Sequence, residues 1–329
     1  MASIAILGAG AWGTALAIKL SPRFDIRLWG RDSAQVAALQ STRRNDRYLP
    51  GAILPASVRP VSVLAEAVDN ADCCIVATPV SGLMPTITAL PSSRAPLLWL
   101  CKGFVFDAGG PCLPHHFVAR HWKDGWGLLS GPSFAQEVAA NAPTALTLAS
   151  NDIAFAGHWA TTLRDDTFRI YPSDDIAGVE VGGAVKNVLA IATGICDGLH
   201  LGDNARAALI TRGLAEMGRL AMALGGRRET LMGLSGLGDL VLTCAGALSR
   251  NRQAGLLLAA GKSLDAIDHE LGHVAEGIYA ARAVHEIAAR GKRDGIDMPI
   301  SEAVYRVLYE GIPPRRAVSE LLSREPVRE

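Results

Sequence analysis

The feature that most constrains this chain lies at its start. Gly8-Ala9-Gly10-Ala11-Trp12-Gly13 matches G-x-G-x-x-G, with the apolar run Ser3–Leu7 before it and helical spacing over Ala11–Leu20 after it. A strand that turns on glycine directly into a helix leaves few folds open. Gly8 permits the tight turn, Gly10 lets the backbone approach a pyrophosphate, and Gly13 allows close helix–strand packing. The helix start then offers unpaired N–H groups and the positive end of its dipole to phosphate. We read the motif as a dinucleotide fingerprint rather than a ligand-free glycine turn.

The rest of the chain fits that start. Short apolar runs at Ser3–Leu7, Asp25–Trp29, 73–78, 97–101, 127–130, Thr144–Ala149 and 168–171 read as buried strands, with helical spacing at Ala11–Leu20 and 33–40 between them. Alternation of this kind predicts a parallel sheet covered on both faces. Asp32 with Gln35 fits a helix N-cap and capping-box partner, and Ser133 with Gln136 fits a second. From about residue 173, long Ala/Leu/Gly/Val segments at helical spacing replace the strands: 176–196, 203–224, 249–260, 263–270, 274–290 and 299–310. The expected fold is therefore α/β, a Rossmann-type doubly wound sheet over 1–172 followed by an all-helical substrate-binding and catalytic domain over 173–329.

Composition narrows the partners. Lys+Arg and Asp+Glu balance at 32 each, so no global field draws in nucleic acid, and any anion site must be local. No uninterrupted apolar stretch reaches the roughly 18 residues of a membrane span. Six cysteines, at 73, 74, 101, 112, 196 and 244, contain no C-x-x-C, and the eight histidines form no ligand cluster. We expect no metal and a reducing, cytoplasmic setting.

Candidate site residues follow the strand ends and the helical half. The second strand, Asp25–Trp29, has no acid at its tip, and Arg31 is placed to meet a 2′-phosphate instead. That favours NADPH, with NADH possible, although a solvated arginine would look the same. Lys102 follows the fourth strand and projects towards the cofactor crevice. Ser130-Gly131-Pro132-Ser133 turns into a helix whose N–H groups suit an anion. Lys186 is the lone lysine in the mostly small and aliphatic run GVEVGGAVKNVLAIATGI (178–195), whose other charge is Glu180. A buried lysine disfavours its own charge, which suits general acid–base work on a carbonyl–alcohol pair, whereas a snorkelling lysine would do nothing. Asn187 beside it fits a substrate hydroxyl, and Asp239 in GLGDL would orient the lysine charge. Arg250-Asn251 after Ser249 has the forked donors of an anion clamp.

These residues lie in blocks that resemble the bacterial NAD(P)-dependent glycerol-3-phosphate dehydrogenase family: GAGAWGTALA (8–17), CKG (101–103), GPSFAQEV (131–138), the long block 182–217, GLSGLGDLVLTC (233–244) and SRNR (249–252). The resemblance implies reversible hydride transfer between NAD(P)H and dihydroxyacetone phosphate, giving sn-glycerol 3-phosphate for glycerophospholipid synthesis. It implies Lys186 as acid/base, with Lys102 and Asp239 as electrostatic partners. It assigns substrate contacts to Lys102, Gly131, Ser133, Lys186, Asn187, Asp239, Thr243, Ser249, Arg250 and Asn251. Cofactor contacts fall on Gly8, Gly10, Ala11, Trp12, Gly13, Arg31, Lys102, Ala135, Arg250, Val274 and Glu276. Two positions depart from the pattern: Ala11 stands where many members have serine, and Ala275 where a second valine is common. A homodimer is the family expectation. Two other readings compete, a hydroxy- or keto-acid dehydrogenase and a non-catalytic nicotinamide redox sensor. The set Lys102, Lys186, Asp239 and Arg250 argues against a sensor, which needs no proton donor.

Overall fold

The computed structural model describes residues 1–90, 95–272, 275–290 and 296–324. The chain forms two compact units, Met1–Val105 with Pro114–Ile176, and Phe106–Leu113 with Ala177–Glu329.

The first unit is built on one eight-stranded sheet. Its strands are β1 Ser3–Leu7, β2 Asp25–Trp29, β3 Val58–Val61, β4 Cys73–Val76, β5 Leu97–Trp99, β6 Trp126–Ser130, β7 Thr144–Ala149 and β8 Phe168–Ser173. They lie side by side as β8-β7-β6-β5-β4-β1-β2-β3. Six of them thus follow the 3-2-1-4-5-6 order of a dinucleotide-binding sheet, with the switch point between β1 and β4. Neighbours are parallel except β6 and β7. The reversal at β7 needs no long crossover, and only the five-residue helix Ala135–Ala139 stands before it. β3 is a strand that the sequence reading did not name: Pro60 cannot donate to a ladder, and the edge position makes that harmless. The central strand β4, Cys-Cys-Ile-Val, is buried throughout, with helices α1 (Ala11–Leu20) and α2 (Ser33–Thr42) among those covering the sheet. Ile4, Ile6, Leu16, Leu20, Ile26 and Leu28 are at the centre of the core.

The second unit is helical. Its axis is α3 (Ile176–Gly198), long and apolar enough to cross a membrane by composition, yet with its apolar window wholly buried inside the protein. The unit's other helices include α4 (Asp203–Ala223), α5 (Asp239–Ala245), α6 (Arg250–Ala259), α7 (Leu264–Leu271), α8 (Glu276–Arg290) and α9 (Pro299–Tyr309). Glycines set how closely they approach. A Cβ on Gly194 of α3 would lie 2.0 Å from the Arg252 carbonyl, and one on Gly255 of α6 would lie 2.2 Å from the Ile191 carbonyl. Larger residues would push these two helices apart. The segment Phe106–Leu113 joins this unit, where Arg290 Nη1 donates to the Gly109 carbonyl at 2.8 Å and the Arg282 guanidinium sits 5.8 Å from the Phe106 ring. The sequence carries no sign of that excursion. Short helices at Leu64–Val68, Val80–Ala89, Pro114–His121, Ile153–Leu163 and Pro314–Leu322 also went unnamed.

Candidate active site

In the first unit the glycine turn links β1 to α1. Gly8 has φ +131°, and a Cβ there would meet the Ala77 backbone at 2.8 Å. A Cβ on Gly13 would stand 1.9 Å from the Gly8 carbonyl, so α1 packs onto the turn only because position 13 is bare. Around Gly10 the surroundings differ: a Cβ would meet nothing within 4 Å. Gly10 is the N-cap of α1, with no side chain capping the helix, and Ala11 is its first residue. An open approach beside unclaimed helix N–H groups fits a pyrophosphate. Asp32 caps α2 by accepting from the amides of Ala34 (2.9 Å) and Gln35 (3.3 Å). Gln35 does not complete a capping box, because its side-chain amide goes to the Ala9 carbonyl at 2.7 Å. Arg31 is exposed, two residues past the end of β2.

A second group gathers past the carboxyl ends of β5 and β6, where open α/β sheets hold ligands. Lys102 Nζ donates to the Gly131 carbonyl at 3.1 Å, and Ser133 Oγ donates to the same carbonyl at 3.0 Å. Trp12 Nε1 donates to the Ser133 carbonyl at 3.1 Å, which ties the start of α1 to this group. Ser133 is not a helix cap, since Phe134 takes that position and buried Ala135 opens the helix. The hydroxyl folds back over its own turn instead.

In the second unit Lys186 lies on α3 and is 6% exposed, with Asp239, 1% exposed, as its ion-pair partner. Lys186 Nζ also donates to Thr243 Oγ1 at 3.0 Å, and that hydroxyl donates to the Asp239 backbone carbonyl at 2.6 Å. Thr243 stands one turn after Asp239 on α5. The glycines of GLSGLGD explain the meeting. A π-helical turn, Leu234–Gly238, precedes Asp239, and a Cβ on Gly236 would stand 2.1 Å from the Leu231 carbonyl. Such turns occur often at functional sites, and this one delivers the carboxylate to the lysine.

Beside the ion pair, Asn187 Oδ1 accepts from Asn251 Nδ2 at 2.9 Å, and Asn251 Oδ1 accepts from the Gly277 amide at 2.9 Å. Each amide oxygen thereby accepts one bond and keeps a second lone pair, and each side chain still has N–H to offer. Ser249 caps α6 by accepting from the Arg252 amide at 3.3 Å. Arg252 is held by Asp197, with Nε at 2.8 Å and Nη2 at 2.6 Å, while Arg206 takes the other carboxylate oxygen at 2.9 Å. Arg250 is exposed at the first position of α6 and has no ion-pair partner among the described residues. Glu276 opens α8, and Val274 lies outside the described residues. Sequence reasoning missed Gln35 and Asp197 as parts of these clusters. Among the described residues no three His, Cys, Asp or Glu side chains come together to hold a metal.

A dinucleotide-binding sheet combined with a helical unit built around a buried lysine–carboxylate pair is the plan of a nicotinamide-dependent dehydrogenase. Comparison with known proteins narrows the class. The chain belongs to the NAD-dependent glycerol-3-phosphate dehydrogenase family, whose N-terminal model matches residues 3–156 and whose C-terminal model matches 175–319. It is 54% identical to the glycerol-3-phosphate dehydrogenase [NAD(P)+] of Dechloromonas aromatica, over 99% of each chain. It is 53% identical to that of Thiobacillus denitrificans, over 98% of each. The crystal structure of glycerol-3-phosphate dehydrogenase from Coxiella burnetii superposes with a TM-score of 0.92 at 44% identity, covering 98% of this chain and 99% of that one.

Proposed function

We propose that this protein reduces dihydroxyacetone phosphate reversibly to sn-glycerol 3-phosphate with NADPH, supplying glycerophospholipid synthesis. The observation that carries this reading is the buried cluster of Lys186, Asp239 and Thr243. When bound, the nicotinamide supplies hydride to C2. Lys186 Nζ donates a proton to the C2 oxygen, and takes it back in the reverse direction. Asp239 and Thr243 hold Nζ in place, and Asp239 compensates its charge. Asn187 presents N–H to a substrate hydroxyl. Arg250 and Asn251 hold the phosphate, a fork and an amide matched to its oxygens, at the start of a helix capped by Ser249. Lys102, Gly131 and Ser133 complete the substrate contacts.

For the cofactor, Gly8, Gly10, Ala11, Trp12 and Gly13 hold the pyrophosphate end, and Lys102, Ala135, Arg250, Val274 and Glu276 take the further contacts that family resemblance assigns. NADPH is favoured because Arg31 supplies a cation past the tip of β2, while the carboxylate of Asp32 is engaged in capping α2. A reducing cytoplasm is the setting this reading assigns. A homodimer is the working assembly. Lys186→Ala tests the core of the reading. It should retain NADPH affinity and lose turnover by about 10²–10⁴-fold, the usual size of acid–base catalysis. Near-normal turnover would remove Lys186 from the role.

A further inference from the structure

The carbonyl oxygen of Ala9, in the middle of the glycine turn, accepts two side-chain amides. Gln35 Nε2 reaches it from α2 at 2.7 Å, and Asn45 Nδ2 reaches it at 3.0 Å from a two-stranded ribbon formed by Arg44–Asn45 and Leu49–Ile53. Asn45 is 2% exposed, and its amide also donates to Thr14 Oγ1 on α1 at 2.6 Å. Gln35 Nε2 and Asn45 Oδ1 are 3.4 Å apart, so the two amides brace each other. One donor is enough to satisfy a buried carbonyl. Two donors from separate segments fix its direction as well.

That direction has a chemical consequence. The Ala9–Gly10 peptide is trans, so the Ala9 carbonyl and the Gly10 N–H point in opposite directions within one rigid plane. Holding the carbonyl towards Gln35 and Asn45 aims the Gly10 N–H away from them. The position where a Gly10 side chain would begin is open. We infer that Gln35 and Asn45 are positioning residues that lock the Ala9–Gly10 peptide plane, so that the Gly10 N–H is preset to donate to the anionic diphosphate of a nicotinamide dinucleotide. The inference rests on the dinucleotide reading of this turn. A preset donor spares the complex the cost of ordering the turn on binding.

The test is NADPH binding by its fluorescence, alongside steady-state kinetics with dihydroxyacetone phosphate. Gln35→Met keeps length and removes the donor at a half-buried site, so the fold survives even if Asn45→Asp proves unstable. It should raise the NADPH dissociation constant and KM about 3- to 10-fold, the range one neutral hydrogen bond spans, while kcat at saturating NADPH falls less than twofold. Gln35→Glu should bind weakly near pH 8, where a carboxylate cannot donate, and regain affinity near pH 5 relative to wild type. A folded Gln35→Met with unchanged affinity, or with its whole loss in kcat, overturns the inference. Wild-type protein that binds no dinucleotide overturns the parent reading, and this one with it.

Discussion

Removing Asp239 should cost stability and turnover by separable routes. Lys186 is 6% exposed, and its carboxylate partner Asp239 is 1% exposed. Asp239→Leu takes the carboxylate away and leaves the lysine's ammonium buried, with Thr243 Oγ1 3.0 Å from it. Breaking a buried pair from one side costs about 3–5 kcal/mol, because the surviving charge is uncompensated. At roughly 2–4 °C per kcal/mol, the melting temperature should fall by about 6–20 °C. Replacing both charges changes the balance, since a well-packed apolar pair is often as stable as the ion pair it replaces. Lys186→Met/Asp239→Leu should therefore return to within about 1 kcal/mol of wild type. Turnover should not return: the single variants and the double variant should all fall by about 10²–10⁴-fold. Urea unfolding read beside NADPH oxidation separates the two effects. A double variant no more stable than Asp239→Leu would refute the electrostatic account, and an Asp239→Leu protein with wild-type turnover would refute the catalytic one.

Two further outcomes follow from the glycine turn and from Glu216. Gly10→Ala should melt with wild type and bind NADPH at least about tenfold more weakly, because its Cβ meets open space where phosphate approaches. Gly13→Ala should lose about 1–3 kcal/mol or more of stability, its Cβ colliding with the Gly8 carbonyl, and calorimetry of both variants checks the contrast. Glu216 on α4 accepts from the Ile300 amide (2.6 Å), the Ser301 amide (3.1 Å) and Ser301 Oγ (3.0 Å) at the start of α9. Burial raises its pKa from 4.5 to about 7 against the lowering effect of those donors. A raised carboxylate pKa stabilises the fold below the unfolded value, and that stabilisation is lost as pH climbs through the folded one. Unfolding free energy should thus fall by roughly 3 kcal/mol between about pH 4.5 and 7.5 in wild type. Glu216→Gln should be less stable at low pH and flat across that window, and equal slopes in the two proteins would refute the assignment.

How much of this was legible depended on how local the signal is. The β1–turn–α1 unit could be read because three glycines and two periodicities coincide within the first 20 residues. β4 announced itself as an unbroken apolar run, and Lys186 as a charge with no amphipathic reason to lie on α3. Ser133 fitted a capping rule by type and spacing, yet the helix begins one residue later and the hydroxyl turns back to Gly131. Gln35 was explained as a capping partner, which hid its reach to Ala9. Asn45, in the polar stretch STRRNDRY, looks like a surface turn, and only the tertiary ribbon buries it. The reversal of β7 and the Phe106–Leu113 excursion are written in contacts between distant residues, to which periodicity is blind.

The most direct test of the whole account is nicotinamide absorbance on mixing the purified protein with dihydroxyacetone phosphate, with NADPH and NADH in parallel and dihydroxyacetone as the phosphate-free control. The account predicts oxidation that requires the phosphate and runs faster with NADPH. No oxidation by protein that binds the cofactor, or equal rates without the phosphate, would contradict it.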